Sequence, residues 1–219
     1  MYRKVISRIN KSYYLHKLSE PIRTFTVRGK LYRYFCHRYN TTWLNERAVE
    51  VPLIWSEVQR YPNDQVLEVG NVLSHYFPTT HQVVDKYETA PKVMNQDIVK
   101  FHSKKKFMLI VSISTLEHVG WDESPRDKQK ILTAIKVLMR LLRPGGTLIM
   151  TLPLGYNPHL DQYLRTNTLH FDTSLFLKRT SAFNTWREVS KHVLEEHPQY
   201  NHPFQNANVI VIGTYRKEL

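Results

Sequence analysis

"QVLEVGNVLSHYFPTTHQVVDKYE" spans residues 65–88. Its first apolar run, "QVLEV", predicts a short buried strand that ends at Gly70, and "HQVVDKY" predicts a second strand that ends near Asp85. Asp85 lies 17 residues after Glu68, a separation that fits one strand–turn–helix–strand step. The loop after the first strand keeps only the first glycine of a Gly-x-Gly-x-Gly pattern. The stretch therefore predicts the opening of a nucleotide-binding α/β unit with an unusual loop.

The flanking sequence continues the alternation of helix and strand. "ERAVEVPLIWSEVQRY" and "PRDKQKILTAIKVLMRLL" predict helices, the second bounded by Pro125 and "RPGG". "FMLIVSIS" and "GTLIMTLPL" predict strands, and a further short strand is expected before Asp97. "TWREVS" and "ANVIVIGTYRK" predict an antiparallel pair at the C-terminus. Because the apolar strands lack in/out alternation, we expect a parallel sheet covered by helices on both faces.

The net charge of +12 is concentrated near the N-terminus. Residues 1–40 hold ten Lys or Arg against one acid, together with eight aromatic residues. We therefore divide the chain into a basic extension, residues 1–44, and a main domain, residues 45–219. The extension suits contact with an anionic membrane, binding of nucleic acid, or a cover over an acceptor site. An equally simple alternative is a cationic segment whose aromatic residues pack on the main domain.

Cysteine content and hydropathy indicate the compartment. The single cysteine, Cys36, excludes an intramolecular disulfide framework and a cysteine-rich zinc site. No apolar run is long enough for a membrane span, and no signal-peptide core follows the basic start. We expect a cytoplasmic protein, peripheral to the membrane if residues 1–40 bind one. The histidines lack metal-ligand spacing, so no metal site is predicted, and the oligomeric state is left open.

Polar residues stand where the predicted strands end, and ligands of open parallel sheets bind at that edge. A buried carboxylate there needs a partner, which a ligand can supply. Asp85 can accept two hydrogen bonds from ribose hydroxyls. A dinucleotide is disfavoured because its pyrophosphate needs the missing glycines. The polar positions are Glu68, Gly70, Asn71, Asp85, Asp97 and the segment Ser112 to Asp122.

"VLEVGN", "VVDKYE", "NQDIV", "FMLIVSISTLEHVG" and "LLRPGGTLIMTLPLG" occur in this order. Their order and spacing resemble those of class I S-adenosylmethionine (SAM)-dependent methyltransferases over residues 45–216. "LEVGNVLSHY" and "STLEHVGWDE" are similar to small bacterial and archaeal methyltransferases associated with glycan or cell-surface polysaccharide synthesis. The resemblance implies a Rossmann-like, doubly wound α/β fold. Its mostly parallel seven-stranded sheet would have an antiparallel C-terminal strand pair and helices on both faces.

The resemblance also implies roles for individual residues. The methionine part of SAM would be bordered by Glu68, Gly70 and Asn71, and the ribose would be bound by Asp85. The adenine would meet Asp97 and the backbone of Ile98, and the floor under the sulfonium would be the segment from Ser112 to His118, including Ser114. The residue after Asp85, often apolar in the family, is Lys86 here. We expect the stem of Lys86, or Tyr87, to pack on the adenine instead.

The acceptor side is predicted from the same segment. A hydroxyl acceptor must lose a proton, and His118 is the first candidate for the base, with Asp122 or Glu117 orienting or replacing it. His118 is equally suited to shaping the pocket, and His75 is a second candidate. We expect O-methylation of a sugar, a glycan or another small molecule. "STLEHVG" differs from the Asn/Asp-Pro-Pro-aromatic loop of amino-methylating nucleic-acid enzymes. An RNA-directed methyltransferase and a non-catalytic binding protein are the alternatives.

Overall fold

A computed structural model describes residues 2–19 and 22–219, with residues 2–9 as backbone only. Met1, Glu20 and Pro21 of the predicted extension lie outside the described residues. The helices are α1 (Tyr2–Ser19), α2 (Arg47–Val58), α3 (Lys130–Leu141) and α4 (Pro158–Arg165). The strands are β1 (Thr24–Val27), β2 (Lys30–Arg33), β3 (Val66–Val69), β4 (Gln82–Asp85), β5 (Val93–Asn95), β6 (Phe107–Ile113), β7 (Leu142–Pro153), β8 (Thr173–Arg179), β9 (Trp186–Val189) and β10 (Val209–Arg216).

Eight strands form the main sheet in the order β5-β4-β3-β6-β7-β10-β8-β9. The five strands from β5 to β7 pair in parallel, whereas β10 runs antiparallel to both β7 and β8, and β9 runs antiparallel to β8. The predicted Rossmann-like α/β fold with antiparallel C-terminal strands is confirmed. Strand β8 was not predicted and lies between β9 and β10, so the sheet has eight strands instead of the predicted seven, and β9 and β10 do not form the predicted pair with each other. The buried apolar run of β8 is short, Leu175–Leu177, and charged residues follow it, which weakens the sequence signal.

The two faces of the sheet bury separate cores. Strand β6 contributes Phe107 and Ile110 to one face and Leu109, Val111 and Ile113 to the other. Helices α3 and α4 cover the first face. Helix α2 and the hairpin β1–β2 cover the second. The prediction that strands such as β6 are covered on both faces is thus confirmed.

Helix α2 contains a proline without losing its continuity. Pro52 lacks the N–H that would bond the carbonyl of Ala48 in a regular helix. The backbone N–H of Phe35 donates to that carbonyl instead, at 2.8 Å. The segment that follows β2 is therefore hydrogen-bonded into α2 at the point where the proline frees an acceptor.

The connection between β3 and β4, residues 70–81, contains only a single 3-10 turn, Leu73–His75. The helix expected between Glu68 and Asp85 is absent, so this expectation was wrong. The segment "NVLSHYFPTTH" carries too few periodic apolar residues for a helix, and Pro78 interrupts it. Similarly, α3 begins at Lys130 rather than near Pro125, because the preceding chain forms turns in which Asp127 N–H bonds the Gly120 carbonyl. In the described part of the chain, no helix is long and apolar enough to cross a membrane.

Candidate active site

A cavity of about 470 Å³ lies at the carboxyl ends of β3, β4, β5 and β6. We call it the first cavity. Apolar side chains of Val69, Val84, Ile98 and Val119 line it beside polar groups, which is the usual character of a small-molecule site. The predicted residues that line it are Gly70, Asp85, Asp97, Ile98, Ser114, His118 and Asp122. Glu68, Asn71 and Glu117 do not line it.

Gly70 is required by the backbone and by its neighbour. Its φ is +86°, and a Cβ atom built on it would lie 2.2 Å from the hydroxyl oxygen of Thr115. The Gly70 N–H donates to the Val84 carbonyl at 2.9 Å, which joins the loop to the adjacent strand. Among residues 70–81, Gly70 alone has a positive φ, so the backbone of this loop requires a glycine at this one position.

The side chain of Glu68 is buried beneath the loop. One oxygen accepts hydrogen bonds from the backbone N–H groups of Val72, at 2.9 Å, and Leu73, at 2.8 Å. The other lies 2.7 Å from Nε2 of His81, and both side chains are fully buried. Glu68 thus holds the β3–β4 connection from its buried side. All three of its hydrogen bonds go to groups of the protein, and its side chain does not line the first cavity where the methionine part of a cofactor is predicted.

Asp85 organises the turn after β4. Its Oδ1 accepts from the N–H groups of Tyr87, at 2.8 Å, and Glu88, at 2.7 Å. Its Oδ2 accepts from Asn71 N–H at 3.0 Å. A carboxylate has about four acceptor positions, so one remains on Oδ2 for a ligand hydroxyl. Glu88 also lines the first cavity, and the Asn71 amide donates to it at 2.7 Å.

Asp97 lies in a network of two acids and two lysines at one end of the first cavity. Lys130 Nζ is 2.6 Å from Asp97 and also contacts Glu123. Lys86 Nζ is 3.3 Å from Asp97 and 3.0 Å from Glu123. Although partial burial opposes it, hydrogen bonds from Lys130 and Val99 N–H lower the pKa of Asp97. The Lys86 side chain lies at the end of the first cavity where the adenine is predicted, whereas Tyr87 is largely exposed. Contact of either residue with an adenine stays a prediction.

The imidazole ring of His118 is held by a neighbouring acid, Asp122. Its Nδ1 lies 2.6 Å from Asp122 Oδ2, which also accepts from the Tyr156 hydroxyl at 2.6 Å. Partial burial opposes ionisation of Asp122, but the hydrogen bonds from Tyr156 and His118 outweigh it and lower the pKa of Asp122. A carboxylate at Nδ1 favours the tautomer with the proton on that nitrogen, which leaves Nε2 as an acceptor. The predicted pairing of His118 with Asp122 is present in the structure.

Ser114 joins the strand edge to helix α2. Its φ of +37° is unusual for a residue other than glycine, and such strain is characteristic of functional sites. Its N–H donates to the Thr151 carbonyl, and its hydroxyl donates to Glu50. Arg47 pairs with Glu50 at 2.8 Å and also donates to the Ile113 and Ser114 carbonyls.

A smaller cavity of about 180 Å³ opens on the other side of Ser114 and His118. We call it the second cavity. Glu117 lines it, as do Tyr156 and residues from before α2 and from the segment that precedes β10. Ser114 and His118 line both cavities, so they form the shared wall between them. Two spaces that meet at a potential proton acceptor suit a transfer reaction between two bound molecules.

Several site residues were missed from the sequence. Glu123 lies in the turns after β6, and Lys130 is the first residue of α3. Arg47 and Glu50 lie on α2, far in sequence from the ends of the strands that line the site. Glu88 had a usable signal, because it follows Asp85 within the same turn. His75 stacks on Tyr39 and bonds Glu88, which places it beside the first cavity rather than in the second. Among residues 2–19 and 22–219, no cluster of His, Cys, Asp or Glu suits a metal ion.

The chain is similar to several solved methyltransferase structures. They include the N-methyltransferase NodS from Bradyrhizobium japonicum WM9 with S-adenosyl-L-homocysteine, at 14% identity and a TM-score of 0.48 over 78% of this chain and 87% of that chain. A SAM-dependent methyltransferase from Clostridium acetobutylicum ATCC 824 gives 13% identity and a TM-score of 0.40 over 76% and 89%. The sugar N-methyltransferase KedS8 from Streptoalloteichus sp ATCC 53650 gives 14% and 0.39 over 79% and 89%. No protein-family profile matches the chain, and no curated protein sequence matches it significantly.

Proposed function

We propose that the protein is a SAM-dependent methyltransferase that acts on a small-molecule acceptor. The observation that carries the proposal is the meeting of the first and second cavities at Ser114 and His118. The first cavity is large enough for SAM, since ligand pockets of roughly 300–1,000 Å³ are typical of molecules of this size. SAM, when bound, supplies an electrophilic methyl group on its sulfonium.

The residues of the first cavity fit the parts of SAM. Asp85 keeps one acceptor position for a ribose hydroxyl, and Glu88 lies beside it. Ile98 and Val119 provide apolar surface for a purine ring, and the stem of Lys86 lies close by. Gly70 keeps the backbone free of a side chain at the edge of β3. We infer that these groups bind and orient the cofactor. In a simple displacement, this orientation supplies most of the catalysis.

The residues of the shared wall could serve the acceptor. Nε2 of His118 is free to accept a proton when Nδ1 donates to Asp122, so a sugar or glycan hydroxyl, as expected from the sequence, would be activated there. Tyr156 lines the second cavity and offers a ring surface beside His118. An RNA acceptor stays an alternative, in which the basic segment would contact phosphates.

Calorimetric titration with S-adenosylhomocysteine tests the cofactor. We expect wild-type protein to bind it and Asp85→Asn to bind at least about tenfold more weakly, because a charged acceptor is lost. Asp64→Asn, at an exposed turn position, is the matched control and should bind as wild type does. Absence of binding by folded wild-type protein would contradict the proposal. Turnover of SAM with small polar acceptors, compared with RNA, separates the two acceptor classes.

A further inference from the structure

Glu117 in the second cavity is a buried acid with an unused oxygen. The residue is 1% exposed, and its Oε2 has no hydrogen-bond partner among the described residues. Its Oε1 lies 3.4 Å from Nε2 of His118, too far for a strong bond. A buried polar atom without a partner is costly, and a functional site is one place where such a cost persists.

The charges around Glu117 do not balance. Three buried acids, Glu46, Glu50 and Glu117, are accompanied by two cations, the buried Arg179 and Arg47, whose side chain is 12% exposed. Arg47 is paired with Glu50, and Arg179 interacts electrostatically with Glu46. Glu117 is the acid left without a cation of its own.

The remaining titratable groups nearby do not supply that cation. His118 and Asp122 are already bonded to each other. Burial raises the pKa values of Tyr156 and Tyr200, and nearby carboxylates, Glu117 among them, raise both further. The two tyrosines therefore stay neutral. Burial likewise raises the pKa of Glu117 well above its ordinary value. When the second cavity holds no ligand, Glu117 therefore keeps its proton, and the excess negative charge is removed.

The rings around the cavity suit a cationic guest. Tyr156 and Tyr200 both line it, and their rings meet edge to face with centroids 5.1 Å apart. Aromatic rings attract ammonium groups, and a carboxylate binds them through charge-assisted hydrogen bonds. An ammonium group placed here would satisfy Glu117 Oε2 and restore the charge balance. A neutral hydroxyl would supply a hydrogen bond but no charge.

We propose that the second cavity binds the ammonium form of an amine acceptor through Glu117, so that the methyl group is transferred to nitrogen. This proposal rests on the methyltransferase function proposed above and revises the expected hydroxyl acceptor. When the amine binds, Glu117 releases its proton to solvent and becomes a carboxylate. The ammonium N–H then passes a proton back to Glu117. The nitrogen lone pair forms the new N–C bond while the C–S bond breaks, and its electron pair returns to sulfur, leaving a methylammonium product and a thioether.

Matched pairs of amine and alcohol test the inference. Ethanolamine and ethylene glycol, and glucosamine and glucose, are titrated by ligand-observed NMR, with and without S-adenosylhomocysteine. We expect the wild type to bind at least one amine about tenfold or more tightly than its alcohol counterpart, and Glu117→Gln to lose that preference. Glu57→Gln removes a partly exposed acid that pairs with Arg60 outside both cavities, and this variant should keep the preference.

A measurement on the wild type alone guards against misfolding of the variant. Calorimetry in buffers of different ionisation enthalpy should show release of close to one proton on amine binding and none on alcohol binding. Equal affinities within both pairs, or a preference that persists in folded Glu117→Gln, would overturn the amine assignment. Failure of S-adenosylhomocysteine to bind would overturn the proposed function instead, because amine binding is measured in its absence as well.

Discussion

Replacement of Glu68 tests whether this residue holds the fold or the cofactor. Glu68→Ala would leave three groups without partners in the interior: the N–H of Val72, the N–H of Leu73 and Nε2 of His81. A buried donor left without an acceptor typically costs about 1–3 kcal/mol, so three such donors cost at least about 3 kcal/mol. We therefore expect the free energy of unfolding to fall by about 3–5 kcal/mol. For a chain of this length that corresponds to a melting temperature lower by roughly 6–20 °C.

Glu68→Gln distinguishes the structural role from charge alone. A glutamine oxygen can still accept from Val72 and Leu73, so we expect a smaller loss of about 1–3 kcal/mol, confined to the contact with His81. Chemical denaturation followed by circular dichroism gives both values, with Glu57→Ala as the control. That exposed pair with Arg60 should contribute no more than about 1 kcal/mol.

Cofactor binding supplies the decisive comparison for Glu68. Folded Glu68→Gln should bind S-adenosylhomocysteine within about threefold of wild type, because the carboxylate faces the loop interior and not the first cavity. A variant of unchanged stability that has lost binding would refute the reasoning. Glu68 would then contact the ligand, as the family resemblance implies.

Three further predictions concern other sites. Gly70→Ala should lower the free energy of unfolding by more than about 2 kcal/mol and abolish cofactor binding, since its Cβ would meet Thr115 at a positive φ; denaturation and calorimetry check this. Lys130→Met should make stability less acid-sensitive below pH 3.8. The lowered pKa of Asp97 gives stability above that pH, which is lost as the pH falls; melting curves at several pH values measure it. Burial raises the pKa of Asp161 to about 6, so wild-type stability should fall by up to roughly 3 kcal/mol as the pH rises from 4 to 6, and Asp161→Asn should flatten that slope in the same melting curves.

Strands with long apolar runs could be predicted because burial on both faces leaves a strong local signature. Strands β3, β4, β6 and β7 and helices α2 and α3 were found in this way. The hairpin β1–β2 was missed because its strands are four residues long and largely exposed, with Phe25 and Val27 buried and Tyr32 partly buried against the core. The helix predicted between β3 and β4 was wrong for a different reason. The separation of the two strands fits a helix, but spacing alone does not show which conformation the intervening residues adopt.

The residues of the candidate site likewise include some that could be predicted from the sequence and some that could not. Asp85, Asp97 and His118 were predictable because parallel strands bring their carboxyl ends to one edge. Their partners were not, because Lys130 meets Asp97 across 33 positions of sequence. Glu117 was expected to orient His118, yet its orientation toward the second cavity depends on packing that no local pattern encodes.

The basic segment shows why charge and packing have to be considered separately. Its positive charge suggested an external partner, yet Phe25 and Val27 lie in the same buried cluster as α2. Tyr34 donates to and accepts from the backbone of Trp186, and Asn40 reaches the wall of the second cavity. Among the described residues of this segment, Phe25 and Tyr34 are therefore packed into the fold and Asn40 lies beside the second cavity, whereas Tyr14 and Tyr39 are largely exposed. The net charge of a segment therefore does not indicate which of its residues contribute to the buried core.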